Sequence, residues 1–202
     1  MYATRMSNSA ELFDKRSDFF RGFFERGAPY EVYLESSPQA HQSRWRDFEQ
    51  KVELSAPQRD LLLSFTRRMN VLVLSGSWCG DCARQGPMLA AIERSCPAMN
   101  MHFIDNGENP ELADELRIHG ASRVPVVVVL SEDFFEVARF GDRTLTAYRR
   151  KAKGELGPAC DSGIAPPGGT ELQGELAEWI DFFERLQLML RLSPFLRKRH
   201  ND

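Results

Sequence analysis

Cysteine is scarce in this chain, and long apolar runs and a dominant charge sign are missing altogether. Four cysteines in 202 residues are too few to staple a small secreted scaffold, so the fold must rest on a buried core. No run approaches the roughly 20 apolar residues that a membrane-crossing helix needs. Met1 to Glu11 is polar and lacks the basic start, apolar stretch and small-residue site of a secretory leader. The expectation is a cytoplasmic protein with no membrane partner. A formal net charge of -3 gives no general attraction to phosphate backbones, which sets nucleic acid aside as well. With 42% hydrophobic and 27% charged residues, the composition is that of an ordinary globular protein.

What the chain does have is one stretch in which residue types and spacing dictate a chemistry: Ser75-Gly76-Ser77-Trp78-Cys79-Gly80-Asp81-Cys82. The apolar run Val71 to Leu74 before it reads as a short buried strand, and Gly76 and Ser77 mark a turn. After it, Met88, Leu89, Ile92 and Cys96 recur at helical spacing, so the helix read over Ala83 to Ser95 places Cys79 at its N-terminus. Unpaired amides and the positive end of the macrodipole favour a thiolate there. Two intervening residues let the second sulfur fold back on the first within one turn, close enough for a disulfide to form and break. Cys79, at the helix mouth, is the expected nucleophile, and Cys82, a turn further in, the resolving thiol. Trp78 would flank them as an apolar platform for a partner chain.

These residues, with Pro87 inside the following helix, Arg123-Val124-Pro125 ahead of Val126 to Leu130, and Gly141 at the end of a hairpin, resemble the thioredoxin family. The likeness covers about the central half of the chain. It implies an α/β thioredoxin-like fold: a central mixed sheet flanked by helices, with extra helices at both termini. It also implies a cis Val124-Pro125 bond facing the cysteines, with the Val124 backbone pairing an extended substrate. Trp78, Gly80, Asp81, Val124 and Pro125 then form the expected substrate-binding rim around the catalytic Cys79 and Cys82. Two departures stand out. The family's buried carboxylate six positions before the first cysteine is here Val73, and its central Gly-Pro is Gly80-Asp81. Asp81 suits the helix dipole yet opposes a neighbouring thiolate.

Elsewhere the sequence predicts a helical extension over residues 1–54 packed on a thioredoxin-like domain over 55–202, the latter including a Gly- and Pro-rich loop at 154–170. Ser9 to Arg26 gathers Phe19, Phe20, Phe23 and Phe24 on one helical face, which reads first as a core-facing surface and second as a docking face for a client. Ala40 to Lys51 reads as a helix, Tyr30 to Tyr33 as either loop or strand, and Val52 to Leu54 as an edge strand. Ser55 caps a helix carried through Leu61, Leu62, Phe65 and Met69, with Arg67 and Arg68 in its last turn. Further on, Glu111 to His119 reads as a short helix, Thr144 to Lys153 as a basic one, and Glu171 to Leu192 as a long amphipathic helix ended by Pro194.

Cys96 reads as a core residue and Cys160 as a loop thiol, with a regulatory or zinc role as the lesser alternative, and His41, His102, His119 and His200 show no catalytic spacing. The leading expectation is thiol-disulfide exchange on protein disulfides, restored by an upstream reductant and needing no cofactor or metal. The alternative is a thioredoxin-fold binding module with an idle cysteine pair, and a C-x-x-C metal site is a distant third.

Overall fold

Met69–Ser75 is buried along its whole length, the pattern of a central strand covered on both faces. The computed structural model describes residues 13–156 and 170–201. In chain order its elements are α1 (Ser17–Arg26), α2 (Tyr30–Glu35), α3 (Gln39–Glu49), α4 (Ala56–Leu63), β1 (Met69–Ser75), α5 (Gly80–Arg94), β2 (Met99–Asp105), α6 (Pro110–Glu115), β3 (Val126–Leu130), β4 (Glu136–Gly141), α7 (Leu145–Leu156), α8 (Glu171–Leu192) and α9 (Pro194–His200). The strands form one mixed sheet in the order β2-β1-β3-β4. β1 and β2 are parallel, as the α5 crossover requires, and β1–β3 and β3–β4 are antiparallel.

Successive side chains of a strand point to opposite faces, which sorts the helices into layers. His102 of β2 stacks on Phe24 of α1 with ring centroids 4.2 Å apart, while Phe103 meets Tyr33 of α2 and Trp45 of α3 at 5.6 and 6.3 Å. α1 therefore lies on one face, and α2 and α3 lie on the other, where α3 packs along α5. Phe20, Phe23 and Phe24 are buried, so the phenylalanine face of α1 belongs to the core and is no docking surface. α8 packs against α5 and α7, and Trp179 brings its ring to 4.7 Å from Phe140 of β4.

Several boundaries differ from the sequence reading. α1 starts at Ser17 because Asp14 is engaged elsewhere: its carboxylate accepts from the Arg16 and Glu136 amides, both at 2.8 Å. The expected start of this helix at Ser9 lies outside the described residues. Tyr30 to Tyr33 belongs to a helix, buried through Tyr30, Tyr33 and Leu34 at helical spacing. Val52 to Leu54 is not a strand. The β2 edge is instead met by Ala28, which exchanges backbone hydrogen bonds of 2.9 and 2.7 Å with Phe103.

α4 starts at its Ser55 capping box but stops at Leu63. Beyond it the Thr66 and Arg67 amides donate to the Gln187 side-chain oxygen of α8 at 3.2 and 2.7 Å, and Met69 already belongs to β1. α6 stops at Glu115, and His119 and Gly120 take positive φ values of 52° and 74°. α7 runs on to Leu156, so the expected loop at 154–170 opens on helix, and Cys160 lies outside the described residues. Pro194 ends α8 but also opens α9, with Ser193 capping the new helix.

Candidate active site

The site is assembled where β1 hands the chain to α5. A buried strand fixes Ser75, and the next three residues make a turn closed by the Cys79 amide donating to the Gly76 carbonyl at 2.9 Å. Gly76 lets Trp78 fold back over the turn, since a Cβ would lie 2.8 Å from the Trp78 ring. α3 clamps this turn from below. Trp45 donates from Nε1 to the Ser77 carbonyl at 2.9 Å, His41 Nδ1 lies 2.9 Å from Ser77 Oγ, and Arg44 donates to the Trp78 carbonyl at 3.3 Å. The Trp45 ring can sit so close only because residue 86 of α5 is glycine, where a Cβ would fall 2.1 Å from it.

Cys79 is the N-cap of α5, with extended backbone, and Gly80 is the first helical residue. Its thiol is half-buried, Cys82 is 1% exposed, and both are free. The Cys79 thiol is lowered to about 6, chiefly by a hydrogen bond from Cys82; burial opposes this, and the Cys82 and Asp81 amides add to it. Cys82 is pushed the other way, by burial first and by Cys79 second. One sulfur is thus poised as an accessible thiolate and the other as a shielded thiol. Trp78 is 56% exposed at the rim.

Val124 and Pro125 stand beside the pair although some 45 residues separate them in sequence. The Cys79 thiol points at the Val124 carbonyl at 3.7 Å, and the Val124-Pro125 bond is cis. Gly141 lets β4 pass this loop closely, since a Cβ would lie 2.9 Å from the Pro125 carbonyl oxygen. Val73 is buried and apolar, as the sequence departure requires.

Sequence reasoning overlooked an ionic cluster behind Asp81. Arg143 bridges the carboxylates of Asp81 at 2.5 Å and Asp142 at 3.0 Å, Arg123 holds Asp142 at 3.0 Å, and the Tyr148 hydroxyl donates to it as well. Gln85 of α5 donates to the Asp142 carbonyl at 3.0 Å. Burial would raise the Asp142 carboxyl, but Tyr148, its own backbone, Arg123 and Arg143 hold it below the usual range. His41, Trp45 and the Ser77 backbone were also missed as supports of the turn. Their one sequence signal is that Trp45 and Phe48 share one side of the helix read over Ala40 to Lys51.

Among the described residues, no group of three or more His, Cys, Asp or Glu side chains converges as a metal site would require. No helix among them is long and apolar enough to cross a membrane.

Residues 27–149 match a family described as thioredoxin. A structure of a protein of unknown function from Pseudomonas aeruginosa aligns with a TM-score of 0.63 and 21% identity, covering 82% of this chain and 97% of that one. An HIV epitope-scaffold aligns with a TM-score of 0.56 and 21% identity, covering 85% and 94%. Both likenesses concern the fold alone. No curated protein matches the sequence.

Proposed function

The chain belongs to the thioredoxin family, and from that premise we propose that it is a thiol-disulfide oxidoreductase that reduces protein disulfides through Cys79 and Cys82. The carrying observation is the unequal pair: a half-buried Cys79 with a lowered pKa at a helix N-terminus, backed by a buried Cys82 with a raised one. Such a pair suits two successive displacements. The Cys79 thiolate attacks one sulfur of a partner's cystine, forming a mixed disulfide and releasing the partner's other sulfur as a thiolate. Cys82 loses its proton and attacks Cys79 Sγ, so that the mixed bond breaks, Cys79–Cys82 forms and the partner leaves reduced by two electrons.

The rim supplies orientation. Trp78 offers an apolar platform, Gly80 leaves open space before the sulfur, and Asp81 marks the charged side. Val124 and Pro125 present backbone beside Cys79, where an extended segment can pair. The direction is reductive, with a potential of the order of -270 mV typical of such couples, and an upstream dithiol restores the pair. Insulin reduction with dithiothreitol as electron source tests the reading: Cys79→Ser should abolish it, and activity retained in that variant would sink it. Cys82→Ser should instead hold clients as mixed disulfides that mass spectrometry can name.

A further inference from the structure

Cys82 faces a demand that Cys79 does not: it must become a thiolate while shut away from water. Two hydroxyls stand on its buried side. Ser75, at the end of β1 and 0% exposed, adjoins the Cys82 sulfur, and Tyr33 of α2, 7% exposed, adjoins Ser75. Neither hydroxyl has a well-formed hydrogen-bond partner among the described residues. Burying a polar group unsatisfied is costly, and one left so in a native fold calls for a reason. Val73, the preceding residue on the same face of β1, is apolar and offers no substitute. Tyr33 also lines a polar surface cleft of about 470 Å³ with Ser36, Ser77, Asp105 and Glu108.

We propose that Ser75 and Tyr33 are positioning residues for the second displacement, turning their hydroxyls to the Cys82 sulfur as its charge develops. This rests on the reading of Cys79 and Cys82 as an exchanging pair. In the step, the Cys82 proton passes to solvent. The thiolate forms the bond to Cys79 Sγ, the Cys79–partner bond breaks, and the departing thiolate takes a proton back from solvent. The hydroxyls hold no strong partner in the dithiol state, so their hydrogen bonds strengthen only as charge appears, which is the condition for accelerating a step. The ionisable groups around the site are Cys79 and Asp81 of α5's first turn, Arg143 beyond Asp81, Asp105 of β2 acting on Tyr33, and His41 of α3 through Ser77.

The two displacements separate with a chromogenic aromatic disulfide, dithiobis(nitrobenzoate), in a Cys160→Ser background of the full chain. The first equivalent of chromophore reports attack by Cys79, and the second reports displacement by Cys82. In Tyr33→Phe and in Ser75→Ala the first phase should stay within about twofold. The second should slow roughly tenfold, the worth of one hydrogen bond to a charged group, with its pH midpoint moving upward. Ser75→Thr, which keeps the hydroxyl, should restore it. A second phase within twofold of the parent in both variants, or one as slow in Ser75→Thr as in Ser75→Ala, overturns the inference. Should Ser75→Ala misfold, Tyr33→Phe alone decides, being nearly isosteric. A parent that releases no second equivalent overturns the exchange reading, and this inference with it.

Discussion

On the α3 side of the cysteines the supports are aromatic rings and hydrogen bonds: Trp45 under Gly86 and bonded to the Ser77 carbonyl, His41 on Ser77, Tyr33 against Phe103. On the α7 side they are charges, with Arg143 set between Asp81 and Asp142 and Arg123 and Tyr148 beyond. The first wall is deeply buried; the second keeps part of its surface in water. Packing is short-ranged and indifferent to salt, whereas partly exposed charge pairs are weakened by it. The aromatic wall therefore sets where the sulfurs are, and the ionic wall sets how readily Cys79 carries charge.

The division breaks most visibly at Trp45. Trp45→Ala should lower unfolding free energy by about 3–5 kcal/mol, the usual cost of emptying an aromatic site in a core, measured by urea denaturation. It should also loosen the Ser77 turn. A loss under about 1 kcal/mol would mean that the turn is held by something other than packing.

The ionic wall is tested by charge reversal of its effect. The Asp81 carboxylate works to raise the Cys79 pKa, and Arg143 offsets that carboxylate. Asp81→Asn should therefore lower the midpoint of Cys79 alkylation from its parent position near pH 6, and Arg143→Gln should raise it, each by roughly half to one unit. The double variant should return close to the parent, and high salt should shrink all the differences. A double variant displaced as far as Arg143→Gln would show that Arg143 acts on the thiolate directly.

The same thiol links redox state to stability. Its folded pKa of about 6 lies below the ordinary value of 9.0, so the reduced protein gains stability as pH rises from 6 towards 9 and loses it as pH falls through 6. Cys82, raised in the fold, adds nothing to that slope below pH 9 and reverses it above. Denaturation of the reduced protein across this range should show the rise, and Cys79→Ser should flatten it. The smallest effect belongs to Arg44. Its single bond of 3.3 Å to the Trp78 carbonyl is exposed, so Arg44→Ala should change stability by no more than about 0.5 kcal/mol and leave insulin turnover within twofold.

How much of this was legible depended on how local the signal was. The cysteines announce themselves because their geometry is set within one helical turn, β1 and β3 because each is an unbroken apolar run, and α8 because it is long and strongly patterned. Arg143 and Tyr148 were invisible for the opposite reason: only the path of β4 past Pro125 brings them to Asp81, some 60 residues away. Tyr33 was hidden because α2 has six residues, too few for periodicity to separate helix from strand. Val52 to Leu54 alternates like a strand, yet the segment that meets the β2 edge is Ala28, in a bridge to Phe103. At Phe65 to Met69, apolar spacing suggested more helix, while Gln187 from the far end of the chain claimed the backbone.

The missing side chain at position 86 reaches beyond packing. An indole from the N-terminal third is lodged in a notch cut into the very helix that bears the sulfurs. A shortened version lacking that indole would carry a dent behind the paired cysteines, and any attempt to pare the protein down to its central domain would have to refill it, for instance with a larger residue at 86.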